Sequence, residues 1–203
     1  MKIALIGATG NVGSRILKEA VNRGHQVTAI SRHPETVSSQ PGVTAATGEV
    51  SDPASLSKIL AGHDAVVSAV RFADTDARKL IGAVKASGVK RYVIVGGAAS
   101  LEVAPGKRLF DDPNFPSAYR PEAGKGAEFL DVLRGEKDLD WTFISPSAVF
   151  VPGERTAKFR IGKDQLLVND KGQSTISFED YAIALLDELE HPKHVRERFT
   201  VGY

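Results

Sequence analysis

Seven residues near the start of the chain, Gly7-Ala8-Thr9-Gly10-Asn11-Val12-Gly13, have the types and spacing of a turn that holds a phosphate group. Glycines allow a tight turn and a close backbone approach. The free N–H groups and the dipole of a helix starting at that point favour negative charge. Thr9 and Asn11 add side-chain donors. A glycine-rich turn can also do no more than join a strand to a helix. Context weighs against that here, because the turn directly follows the apolar run Ile3 to Ile6. It also opens a segment with Val12, Ile16, Leu17, Ala20 and Val21 on one helical face. The expectation is a dinucleotide site that uses Gly7, Gly10, Gly13 and Val12 as its floor.

The rest of such a nucleotide would be read at the ends of later strands. A site selective for NAD usually places a carboxylate after the second strand, for the ribose hydroxyls. Here the residues are Ser31 and Arg32, which suit a 2′-phosphate, so NADPH is expected over NADH, with NADH possible. The competing reading makes Arg32 a solvated surface charge. Glu49 could accept from an adenine amino group with Val50 against the ring. Ala69, Val70 and Arg71 should pass near the nicotinamide ribose, and Gly97 joins them from the following strand end.

The elements that must position these residues show in the hydropathy pattern. Short β-branched runs alternate with segments of helical period, as in βαβ units feeding a parallel sheet buried on both faces. Strands are predicted at Ile3 to Ile6, Gln26 to Ile30, Val43 to Thr47, Ala65 to Ala69, Tyr92 to Val95, Trp141 to Ile144, and near Arg198 to Val201, with helices between them. One helix runs from about Asn11 to Arg23 with Gly24 as its C-terminal cap. Asp52-Pro53 opens another, and Ser177-Phe178-Glu179-Asp180 resembles a capping box that starts one through Leu189. The fold class is α/β, a doubly wound parallel sheet of the Rossmann type in one domain, residues 1–203, with a small C-terminal appendage. Two stretches break the rhythm. Residues 105–116 hold three prolines and no period, so they read as a long loop. Residues 150–176 contain the turn-like Asn169-Asp170-Lys171-Gly172 and read as a small β excursion. Both are placed on the acceptor side, beyond the carboxyl ends of the strands.

Bulk properties narrow the partners. Among 203 residues, 26 Lys and Arg nearly balance 25 Asp and Glu, so no charge excess draws the chain to nucleic acid or an anionic membrane. The expected partner is a small-molecule acceptor, with the protein a monomer or homodimer. Without cysteine there is no disulfide, thiolate metal site or thiol nucleophile. No histidine cluster has ligand spacing, so no metal is expected. The apolar start Met1-Lys2-Ile3 is too short for a signal segment, which makes the cytoplasm the expected compartment.

With these residues placed, the chain resembles the atypical short-chain dehydrogenase/reductases and, more narrowly, the bacterial NADH-flavin reductase family. The likeness runs nearly end to end. It includes the glycine turn, residues 95–106 (VGGAASLEVAPG), Trp141-Thr142-Phe143-Ile144-Ser145-Pro146, Pro152-Gly153-Glu154-Arg155-Thr156, residues 177–182 (SFEDYA) and Arg198-Phe199-Thr200-Val201-Gly202-Tyr203. The resemblance implies NAD(P)H-dependent reduction of a flavin.

Ordinary members of that superfamily use Tyr-x-x-x-Lys on a helix and a serine at a strand end. Ser100 and Tyr119 are the candidates here, but the residue four beyond Tyr119 is Ala123. Lys125, six residues on, falls about 240° round the helix and cannot share the tyrosine's face. Without a cation beside it the phenol is a poor base. Carbonyl reduction needs a proton delivered to an alkoxide, whereas a flavin or quinone tolerates the missing relay, so such an acceptor is expected. Phe110, Phe115, Phe150 and Phe159 are candidates for the acceptor wall, with Ser145 beside them. Arg155 and Arg108 would either meet a flavin phosphate or brace loops. Tyr119 and Glu122 are the polar pair on the pocket-side helix, and Trp141 is assigned to the core. Two other classes stay open: a non-catalytic NADP-binding sensor and, more weakly, a sugar-nucleotide epimerase or dehydratase.

Overall fold

In the computed structural model, which describes residues 1–203, the alternating pattern becomes twelve strands and five helices. They run β1 (Lys2–Ile6), α1 (Asn11–Asn22), β2 (Gln26–Ser31), β3 (Val43–Thr47), α2 (Pro53–Leu60), β4 (Ala65–Ser68), α3 (Ala77–Ala86) and β5 (Arg91–Val95). There follow β6 (Glu102–Ala104), β7 (Lys107–Arg108), α4 (Arg120–Arg134), β8 (Asp140–Ser145), β9 (Val149–Val151), β10 (Arg160–Gly162), β11 (Thr175–Ser177), α5 (Phe178–Glu190) and β12 (Glu197–Gly202).

Eight strands form one sheet in the order β10-β12-β8-β5-β4-β1-β2-β3, parallel throughout except for the β10–β12 pair. This is the doubly wound arrangement, with the strand order reversing between β1 and β4. Successive residues of β1 serve opposite cores. Ile3 and Leu5 pack with α1 and α5, while Ala4 and Ile6 pack with α2, α3 and α4. Trp141 is buried in the second layer, its indole N–H donating to the Glu136 carbonyl.

Helix ends follow the local chemistry. The Asp52 carboxylate accepts from Ser55 N and caps α2, with Pro53 in the first turn. Gly24, with φ 79°, ends α1. The Ser177 hydroxyl accepts from Asp180 N at the start of α5. The reciprocal half of a capping box is missing, because the buried Asp180 carboxylate turns away from Ser177 N. It accepts instead from Thr156 N (2.7 Å), Ala157 N (2.8 Å) and the Tyr203 hydroxyl (2.8 Å).

Three expectations need correction. No helix lies between β2 and β3. Residues 32–42 hold two prolines and too few residues for a helical crossover, and they make only a short 3₁₀ turn at Pro34–Thr36. The stretch 105–116 is not all loop. It contains β7, paired antiparallel with β6, and a 3₁₀ turn at Leu109–Asp111. The turn near Asn169 forms, with Gly172 N donating to the Asn169 carbonyl. The strands of the excursion do not pair across it. β9 and β11 pair in parallel, and β10 joins the edge of the main sheet.

Arg155 straps the segment after β9 onto α1, its Nε and Nη2 both donating to the buried Glu19 carboxylate at 2.9 Å. That guanidinium holds the Glu19 carboxyl below the usual carboxylate range. Burial opposes the effect, and Arg23 adds to it. A carboxyl lowered in the folded state stabilises above its unfolded value and loses that contribution as pH falls through the folded one. Glu19 should therefore contribute fully at neutral pH and progressively less below 4.5. Urea unfolding from about pH 3 to about pH 7 should show a shallower acid limb in Glu19→Gln than in the wild type. Equal slopes would mean the pair contributes nothing.

Candidate functional site

The glycine turn sits at the reversal point of the sheet and is pinned to both neighbouring strands. Gly7 N and Ala8 N donate to the Ile30 carbonyl at 3.0 and 3.3 Å, and Ala69 N donates to the Ile6 carbonyl at 2.9 Å. Gly7 has φ 81°, and a Cβ on it would collide with the Ala69 carbonyl. A Cβ on Gly13 would collide with the carbonyl of Gly7. The two glycines therefore let α1 start directly against the end of β1 and beside β4. Gly10 is exposed, and Ser14 N is the first helix amide to find an acceptor, the Gly10 carbonyl at 2.9 Å. The N–H groups of Asn11, Val12 and Gly13 have no backbone partner. A cradle that side chains would fill, ending on three unpartnered amides, fits the pyrophosphate of a dinucleotide.

Other predicted cofactor residues collect round this turn. The Thr9 and Ser31 hydroxyls meet at 3.0 Å, and Ser31 is buried and accepts from His33 N. Arg32, next to them, is exposed and makes no ion pair. Glu49 is exposed and accepts from the Ser51 hydroxyl at 2.9 Å, while Val50 packs against the core. Ala69 and Val70 are half-buried beside Gly7, and Arg71 is exposed, 3.7 Å from Asp74.

Beyond the carboxyl ends of β5 and β8 opens a cleft of about 740 Å³ with mostly apolar walls. Gly97 and Ser100 lie on the β5 side, Phe150 on the β8 side, and Phe115 and Tyr119 come from the segment leading into α4. Phe72, at the foot of α4, closes one end against Phe129 and Phe143. The Phe150 ring lies 4.7 Å from both Phe178 and Tyr181, so it is fixed from behind.

The cleft does not gather every candidate. Phe110 stands behind Phe115, the rings 5.5 Å apart, with Arg120 over both. Phe159 packs into the layer of α1 and α5. Arg155 is bound to Glu19, and Arg108 pairs with Asp111. Both arginines brace the chain and do not face the cleft. Ser145 is fully buried below it. Sequence reasoning missed Arg198, whose Nη1 donates to the hydroxyls of Ser100 (3.2 Å) and Ser145 (3.3 Å). The available signal was an arginine beside Phe199 in a strand predicted to be buried, a position that demands polar partners.

Tyr119 lies at the rim, 66% exposed, and its hydroxyl makes no hydrogen bond within the chain. Lys125 binds Glu128 at 2.7 Å, away from the tyrosine. Glu122 does not pair with Tyr119. Its two carboxylate oxygens accept from Phe72 N and Ala73 N, both at 2.8 Å, tying α4 to the segment after β4. Tyr92 and Tyr181 are fully buried, burial pushes their hydroxyls up, and neither lines the cleft.

The turn, its unpartnered amides and the sheet order define an NAD(P)H-binding Rossmann protein. The profile of a family described as NAD(P)H-binding matches residues 7–192. YwnB of Bacillus subtilis is 45% identical over 217 residues, covering 99% of this chain and 98% of YwnB. Two solved structures superpose over 100% of this chain. One, from Bacteroides thetaiotaomicron and described as a "putative epimerase", is 46% identical with a TM-score of 0.95 over 96% of its own chain. The other, from Streptococcus pneumoniae and described as a "putative NADH-flavin reductase", is 36% identical with a TM-score of 0.87 over 99% of its chain. The chain belongs to this NAD(P)H-binding family.

Gly13→Ala tests the cradle. The added methyl cannot fit against the Gly7 carbonyl, so α1 must shift, at a cost of about 1 to 3 kcal/mol. Nicotinamide fluorescence titration should show NADH and NADPH affinity falling together, with a lowered thermal midpoint. Unchanged affinity for both would contradict the assignment of the turn.

Proposed function

We propose that the protein is an NADPH-dependent reductase that passes hydride to a flat conjugated acceptor of the flavin or quinone type. The observation that supports this most is the mostly apolar cleft beyond the carboxyl ends of β5 and β8, where Phe115 and Phe150 offer stacking surfaces. When bound, a reduced nicotinamide supplies the hydride. The chain's own part is to hold the two rings together, exclude water from the apolar walls and leave protonation to solvent. An acceptor that spreads the incoming electron pair over a conjugated ring suits a site whose only tyrosine lies at the rim without a lysine. Arg32, exposed and unpaired beside the Thr9–Ser31 pair, is our choice for the 2′-phosphate.

Two measurements test the reading. Arg32→Ala should weaken NADPH binding about ten- to a hundredfold, the loss of one charge-assisted contact, and leave NADH unaffected. Equal loss for both nucleotides would remove the phosphate assignment. In steady-state assays, NADPH should be oxidised by FMN, riboflavin or a small quinone, and not by an aldehyde or a UDP-sugar. Tyr119→Phe should stay within a few-fold of wild type, since a general acid or base would be worth about 100- to 10,000-fold. Tight nucleotide binding with no turnover would favour an NADP sensor, and turnover of the UDP-sugar would favour an epimerase.

A further inference from the structure

Arg198 is a cation in an awkward place. It sits in β12 next to the fully buried Phe199, and its side chain is 4% exposed. Its Nε and Nη2 both donate to one oxygen of Asp164, at 2.8 and 2.5 Å, but that single carboxylate is half-exposed, 49%. The remaining nitrogen, Nη1, is satisfied by two neutral hydroxyls, Ser100 and Ser145. The charge is thus partly compensated on one side and directed toward serines on the other.

Ser100 stands in the partition between two cavities. It lines the apolar cleft, and it also lines a polar cavity of about 210 Å³ that contains Glu102, Asp131, Asp164 and Arg198. Its oxygen accepts from Arg198, and its own proton has no acceptor within the chain. A hydroxyl carries one proton and two lone pairs, so this proton is available to a ligand. Accepting from a cation strengthens the hydroxyl as a donor, and low surrounding polarity strengthens it further.

We propose that Ser100 and Arg198 form an oxyanion subsite in the apolar cleft, for a flat ligand whose oxygen carries negative charge, such as a phenolate or the oxygen of a reduced conjugated acceptor. Ser100 donates to that oxygen. Arg198 is a positioning residue that acts through the serine and never touches the ligand. The subsite rests on the proposed function only in sharing its cleft, because binding a phenolate needs neither nucleotide nor turnover. A phosphate is the wrong occupant, since one hydroxyl and apolar walls leave most of its oxygens without donors.

The probe is 4-nitrophenol, whose ionised form is coloured, titrated into nucleotide-free protein near the pH where the free compound is half-ionised. 4-Nitroanisole, of similar shape and unable to ionise, is the control. Wild type should enrich the phenolate on binding. Ser100→Ala should lower phenolate affinity about ten- to a hundredfold, the range for a hydrogen bond to a charged group, and change nitroanisole less than about twofold. Arg198→Met should remove the enrichment, and Arg198→Lys should restore part of it. Asp164→Asn removes a surface-accessible carboxylate, so it keeps the proposal testable if the Arg198 variants do not fold. It should increase phenolate enrichment. The proposal is overturned if wild type binds no phenolate or prefers the neutral phenol, if Ser100→Ala weakens both probes equally, or if Asp164→Asn leaves the enrichment unchanged. Absence of NADPH oxidation with every acceptor would count against the proposed function and leave this titration as it stands.

Discussion

A sheet covered on both faces leaves only its ends for chemistry. Here both sides of β1 are buried, Ile3 and Leu5 under one pair of helices and Ala4 and Ile6 under the other three. Helix α1 must therefore leave the end of β1 at once and pack back against it. That is possible because Gly7 and Gly13 have no side chains where backbone carbonyls already stand. The same contact that closes the core leaves three helix amides without backbone partners at the carboxyl end of β1. Packing and anion recognition are two results of one steric constraint.

The later part of the chain is joined to this frame largely through buried carboxylates. Asp180 gathers the backbone at Thr156 and Ala157 and the Tyr203 hydroxyl, and Glu19 receives Arg155. Glu188 accepts from Arg91 and His194, linking α5 to β5 and to the segment before β12. Each of these acids collects donors from residues far apart in the chain. The carboxylates themselves are buried, so losing their donors would leave a buried charge unpaired, which is costlier than the net value of the bonds themselves.

The parts of the fold with a local cause were legible. Strand alternation, the Asp52 and Ser177 caps and the Gly24 terminus each follow from a few neighbouring residues, and the structure has them. The glycine turn was legible too, because strand, turn and helix are contiguous. What was not legible depended on distant partners. Arg155 reads as a loop cation until Glu19 is known to lie beneath it, and Phe110 and Phe115 look equivalent until Arg120 places one behind the other. Asp180 fits a capping box by spacing, yet the tertiary donors at Thr156 and Ala157 outcompete the local one. Arg198 could have been questioned from its strand alone, but which hydroxyls it meets could not.

The Glu122 carboxylate holds two successive backbone amides, Phe72 and Ala73, one on each oxygen. These amides belong to the segment that follows β4, and Glu122 belongs to the helix that forms one wall of the cleft. Neither piece can withdraw from the other without giving up both bonds. A nucleotide that displaced this segment would thus move the cleft wall with it, so the affinities of the two ligands would be thermodynamically linked. Such linkage is reciprocal: whatever factor the first ligand imposes on the second, the second imposes on the first. The glycine cradle and the apolar cleft would then behave, in their binding, as one cooperative unit.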